Sequence, residues 1–174
     1  MSATNKLYKN AIDYKTNLRL SKNFTLSELV RTSKNVDNWP KKQEIIWHLH
    51  HLTWFVLQRI RDHYNKPVRV TSGYRSPELN TMIGGSLKSQ HSKGQAADFE
   101  IKGVDNREVA KWIHKNLVYD QLILEFYDSS RGTNSGWIHC SYKPTGGRRQ
   151  FLIAKKKNKK TLYLPATIQQ LDIL

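Results

Sequence analysis

His91, Asp98 and His139 are the side chains whose types and spacing could do chemistry. His91 and Asp98 flank a glycine turn in Ser89-Gln90-His91-Ser92-Lys93-Gly94-Gln95-Ala96-Ala97-Asp98, and His139 follows in Gly136-Trp137-Ile138-His139-Cys140. Two imidazoles and one carboxylate can hold a zinc ion and leave its fourth position open. Three protein ligands plus water is the pattern of a catalytic zinc site, whereas structural sites are usually closed by four. Residues 95–101 suit a short strand with side chains alternating between faces. Ala96, Asp98 and Glu100 then share one face, and Ala97, Phe99 and Ile101 the other. Gly94 supplies permissive backbone for a sharp turn, which can swing His91 back over Asp98.

Other elements must position these residues. Thr25 and Glu28 form a capping box for a short helix. Pro40 suits the first position of a long helix, in which Ile45, Ile46, Leu49, Leu52, Val56, Leu57 and Ile60 recur at helical steps. That helix is expected to end near Tyr64 and to cover one face of a sheet. It carries His48, His50, His51 and His63; His48 and His51 sit three apart on one face and could in principle bind metal, but that cluster holds no carboxylate and there is no His-Glu-x-x-His, so all four read as surface or partly buried residues. Residues 67–71 read as a strand, and Ser76 as the N-cap of a proline-led helix ending at Gly84-Gly85. Asp105 and Glu108 open a second amphipathic helix, whose His114 is expected to face water.

Residues 119–126 read as a buried strand, 128–136 as turn-rich, and 137–142 as the returning strand. If the loop centres near Gly132, Glu125 falls about opposite His139, within reach of the water that zinc activates. A one-residue slip would turn it away. Cys140 points away from His139 and reads as core. Residues 148–154 suit an edge strand, 155–160 a solvated basic turn, and 161–174 an apolar tail that docks back or meets a partner. The expected division is an arm at 1–22, a domain carrying the zinc residues at 23–154, and the basic turn and docked tail at 155–174.

The run Ser89-x-His91-x-x-Gly94-x-Ala96-x-Asp98, followed by Trp137-x-His139, resembles the zinc DD-peptidase family, which includes phage endolysins and the vancomycin-resistance dipeptidases. Ser72-Gly73-Tyr74-Arg75-Ser76 and Gln121-Leu122-Ile123-Leu124-Glu125 look like its phage and bacterial D-Ala-D-Ala carboxypeptidase branch. The resemblance covers residues 24–142. It implies an α+β fold of the hedgehog/DD-peptidase type, in which a small, mostly antiparallel sheet holds one zinc on one face and packs helices on the other. It also implies cleavage of a peptide stem of peptidoglycan, by a D-Ala-D-Ala carboxypeptidase or an L-Ala–D-Glu-type endopeptidase. Arg75 is then a clamp for a substrate carboxylate or a developing oxyanion; the alternative is an arginine that pins its own loop through backbone carbonyls. Ser89, Tyr74 and Trp137 are expected to orient the ligands or touch the substrate. Many relatives carry Glu-x-x-His or Asp-x-x-His at the second histidine, whereas position 136 here is glycine. The base must come from elsewhere: Glu125 first, Asp128 second, Glu100 third.

Lys and Arg outnumber Asp and Glu by 29 to 14, a net charge of +15 over 174 residues. Such a balance attracts polyanions, among them anionic wall polymer, a bacterial membrane surface and nucleic acid. No helix-turn-helix, finger spacing or aromatic–basic platform supports specific nucleic-acid binding. No apolar run approaches the roughly 20 residues of a membrane span. Residues 1–20 lack the apolar block of a secretory signal, so the expected route to the wall is release by lysis or carriage on a virion. The single cysteine excludes an internal disulfide. The competing class is a zinc-holding binding protein on the same fold.

Overall fold

The structure, a computed structural model, describes residues 18–174; most of the expected arm lies outside them. Helix α1 (Leu26–Val30) starts at the anticipated capping box, with the Thr25 amide donating to Glu28 Oε2 at 2.7 Å. The long helix α2 runs through Gln43–Leu52, a π-helical Thr53–Leu57 and Gln58–Tyr64, and stops at Asn65, whose φ is 48°. It begins after Pro40, with Lys42 as N-cap. Buried Asn38 is the reason: its amide donates to the Val30 and Tyr74 carbonyls, and its oxygen accepts from the Ser76 amide. The chain leaving Asn38 is committed to those three backbone groups before it can coil. The π turn buries Val56 and Leu57 and leaves Trp54 and Phe55 exposed.

Strands β1 (Val68–Ser72), β2 (Ala96–Ile101), β3 (Gln121–Glu125), β4 (Trp137–Ser141), β5 (Gln150–Lys157) and β6 (Lys160–Pro165) form one six-stranded sheet in the order β1-β2-β4-β3-β5-β6. Only the β3–β5 pair is parallel. Helices α3 (Pro77–Met82), α4 (Asn106–Asn116) and α5 (Ile168–Asp172) complete the described residues. The expected edge strand at 148–154 is interior, covered by β6, and the boundary at 154 falls inside β5. The basic run lies on β5 and on a turn where Asn158 and Lys159 adopt φ of 50° and 64°. Asp120 fixes this topology. Its fully buried carboxylate accepts from the Arg148 backbone and guanidinium, and its carbonyl accepts from the Gln150 amide, so the chain passes round the start of β3.

Strand alternation sorts the sheet into two faces. Ala97, Phe99, Leu122, Leu124, Ile138 and Cys140 face α2 and α4 in one core with Leu49, Leu52, Ile60, Val109 and Ile113. Burial pushes the Cys140 thiol pKa up, consistent with a core residue and not a ligand. Helices thus cover one face, and the other carries the polar residues described next. His114 does not simply face water: its ring stacks on Phe151 and its Nδ1 meets Tyr119 Oη at 2.6 Å.

Candidate active site

Asp98 on β2 and His139 on β4 are direct cross-strand partners, so their side chains leave the same face about 5 Å apart at Cβ. His91 arrives from the 3-10 turn His91–Lys93, which ends at Gly94 with φ 68°. A Cβ at Gly94 would meet the Ile45 carbonyl oxygen at 2.7 Å, so glycine is required for conformation and for space. The turn folds His91 over Asp98, as its spacing predicts.

Three donor atoms converge. His91 Nε2 lies 3.3 Å from Asp98 Oδ1, His139 Nδ1 lies 2.9 Å from the same oxygen, and the two nitrogens are 3.2 Å apart. Tetrahedral zinc with bonds of ~2.0–2.1 Å sets its donors about 3.3 Å apart. The observed triangle fits that ion. His91 Nδ1 meets the Gly73 carbonyl at 2.8 Å; only an N–H can make that bond, so Nε2 turns its lone pair inward. All three residues are buried. Burial opposes the Asp98 charge, but the field of His91 and hydrogen bonds from His139 and His91 hold the carboxyl well below its usual range.

Arg75 Nη2 donates to Asp98 Oδ2 at 2.7 Å, and its Nε donates to Ser72 Oγ at 2.9 Å. It therefore does not pin its loop through backbone carbonyls. It holds the far oxygen of a metal ligand, with its guanidinium at the wall of a cleft of about 760 Å³. Ser89 and Trp137 line the same cleft. Tyr74 does not: it is buried in the core and borders a separate cavity with Trp39 and Pro77.

Glu125 lies on the metal face, in the cleft. Its cross-strand partner is Trp137, while Ile123 faces His139. The expected pairing of Glu125 with His139 is therefore off by two residues. Because side chains repeat every two residues, the shift preserves the face. The Glu125 carboxylate makes no hydrogen bond or ion pair among the described residues. Burial, then the field of Asp98, raises its pKa above the ordinary glutamate value. Asp128 instead caps the 3-10 turn Ser129–Arg131 and accepts from Ser130. Glu100 pairs with Arg69 at 2.9 Å. Neither reserve base lines the cleft.

Gly136 explains the missing acid before the second histidine. Its φ is 66°, and a Cβ there would overlap the Glu125 carbonyl oxygen and the Phe126 backbone. Gly136→Glu in a Glu125→Gln background is therefore expected to restore no activity. It should also lower Tm by about 5 °C or more, from left-handed strain of ~1–3 kcal/mol plus overlap; a thermal melt and a rate assay check both.

Several cleft residues are not among the site residues expected from the sequence: Gln121, Gln150, Arg148, Leu152 and Tyr163. Alternation along 121–125 carries a signal for Gln121, which shares the Glu125 face. Nothing local to 148–163 signals that this segment joins the site.

A buried His–Asp–His cluster on the open face of an α+β sheet, at the wall of a cleft, defines a zinc-dependent peptidase class. The profile of the family described as Peptidase M15 matches residues 22–141, and the chain belongs to that family. Among its relatives, the peptidoglycan L,D-endopeptidase MepK of Escherichia coli (strain K12) is 43% identical over 51 residues, 26% of this chain and 28% of that protein. The proteins of the same name from Escherichia coli O157:H7 and Shigella flexneri match to the same extent. The match thus spans little more than a quarter of these relatives' length.

Proposed function

We propose that this chain hydrolyses an amide bond within the peptide stem of bacterial peptidoglycan, as an endopeptidase. One observation carries the choice: the cleft continues on both sides of the metal cluster. Gln121, Gln150 and Arg148 lie towards one end, and Phe126, Trp137 and Tyr163 towards the other. An enzyme that trims a terminal residue needs one end closed around a carboxylate, and Arg148 is already engaged by buried Asp120. The name of the MepK relatives points the same way.

His91, Asp98 and His139 would hold the zinc. When bound, the ion supplies Lewis acidity that polarises the carbonyl and lowers the pKa of a water to ~7. Glu125 takes the proton of the attacking water and passes it to the nitrogen of the leaving amine. The acyl fragment gains the water oxygen and leaves as a carboxylate, and the amine gains both water protons and leaves as an ammonium, so every atom of the water and the amide is accounted for. Arg75 holds Asp98 in place through Oδ2, and its guanidinium offsets charge developing on the substrate carbonyl oxygen. The net charge of +15 suits attraction to anionic wall polymer, and we place the site of action at the wall, reached on lysis or on a virion.

Digestion of purified sacculi tests this. The zinc-loaded enzyme should release stem fragments with new amino termini, and a chelator should suppress release until zinc is returned. Intact stems at every zinc level would defeat the proposal. Release of single terminal residues alone would replace the endopeptidase with a carboxypeptidase.

A further inference from the structure

The β5–β6 hairpin lies beyond the residues the family profile matches, 22–141, yet it walls the cleft. Glu125 pairs with Ala154 across β3–β5, and Ala154 pairs with Tyr163 across β5–β6. Directly opposed residues share a face, so Glu125, Ala154 and Tyr163 stand in one row on the metal face. Strands lie ~4.8 Å apart, which puts Tyr163 about 10 Å from Glu125 along the row. Ala154 between them is fully buried and carries only a methyl group. A tyrosine ring can therefore lean across it into the cleft, and Tyr163 does line that cleft with Asp98, Glu125 and Trp137.

Tyr163 is 53% exposed, and its hydroxyl makes no hydrogen bond among the described residues. Tyr119 and Tyr127 differ, since their hydroxyls meet His114 at 2.6 Å and Asp105 at 3.0 Å. Burial, then the fields of Glu125 and Asp98, push the Tyr163 pKa up, so the phenol stays protonated as a donor. Beside it, Ile123 and Leu152 line the cleft and, backed by buried Ala154, form a small apolar floor. An unpaired donor over such a floor suits an extended peptide with a small side chain.

We propose that Tyr163 is a substrate-binding residue, whose hydroxyl donates to a backbone carbonyl of the bound peptide beside the scissile bond while its ring packs on a small apolar side chain seated against Ile123 and Leu152. This rests on reading the cleft as a peptide site. A neutral hydrogen bond kept in both ground and transition states changes KM and not kcat.

The test uses zinc-loaded Glu125→Gln protein as an inert trap and a soluble peptidoglycan stem peptide as the probe, with Kd measured by calorimetry. Tyr163→Phe in that background should weaken binding about three- to tenfold, and Tyr163→Ala more, because the ring is lost too. In the active enzyme, Tyr163→Phe should raise KM by the same factor. Zinc content and Tm should stay at parent values in the Phe variant, which a structural role would not combine with a weaker Kd. Parent-like Kd and KM in both variants overturn the proposal, as does a loss confined to kcat. If the parent enzyme leaves sacculi intact, the functional reading fails instead; if it cuts them and the variants bind normally, only the role of Tyr163 fails.

Discussion

Glu125→Gln is expected to slow stem cleavage about 10²–10⁴-fold, the usual worth of a positioned proton shuttle, while one zinc per chain is retained. Glutamine keeps the size and shape of the side chain and removes its ability to take a proton. The geometry suits this residue to the role of base that we propose for it. It shares the face of His139 and lines the cleft, and no arginine or lysine among the described residues pairs with its carboxylate, as a purely structural acid would require. The alternatives are engaged elsewhere, Asp128 at a turn and Glu100 with Arg69. The raised pKa of Glu125 adds a pH signature. The base works only when ionised, so the rate is lost as pH falls through that raised value, above the ordinary glutamate range. Initial rates on sacculi with parallel zinc analysis check the claim. A variant that cuts at the parent rate removes Glu125 from the chemistry.

Much of this site is legible in the chain because the ligands lie on local patterns. Asp98 and His139 each sit in a short alternating strand, and Gly94 marks the turn that returns His91. Glu125 is legible as to face but not as to partner. Loop length fixes register, and the hairpin ends at Phe126 and Gly136, both at positive φ of 53° and 66°. The composition of 128–136 shows a turn without showing where it closes. The start of α2 misled for a different reason. Pro40 carries a helix-opening signal, but the hydrogen bonds that hold the preceding segment come from Asn38 to Val30, Tyr74 and Ser76. Tyr163 is less legible still. Its place depends on β5 pairing in parallel with β3 after a connection anchored by Asp120 and Arg148, and no periodicity reports a pairing between such distant segments.

Asp98→Asn should empty the metal site, weakening zinc binding by more than the roughly 10–100-fold that follows loss of a residue behind a ligand. Activity should fall with zinc occupancy. The reason lies in how the carboxylate is shared. Oδ1 faces His91 Nε2 and His139 Nδ1, and Oδ2 accepts from Arg75 Nη2 at 2.7 Å. Each oxygen thus has its own cationic or donor neighbour, and the pair needs two acceptors. Asparagine supplies one. If its amide nitrogen faces Arg75, two donors oppose each other; if it faces the imidazoles, a donor occupies the position a metal must ligate. The substitution also removes the only anion among the three ligands, leaving the Arg75 guanidinium to repel a divalent ion uncompensated. Arg75→Ala should be milder, at about 10–100-fold in zinc affinity, because both Asp98 oxygens remain. Competition with a zinc chelator of known affinity ranks the three proteins, and Asp98→Asn protein that keeps full zinc occupancy would place the metal on other residues.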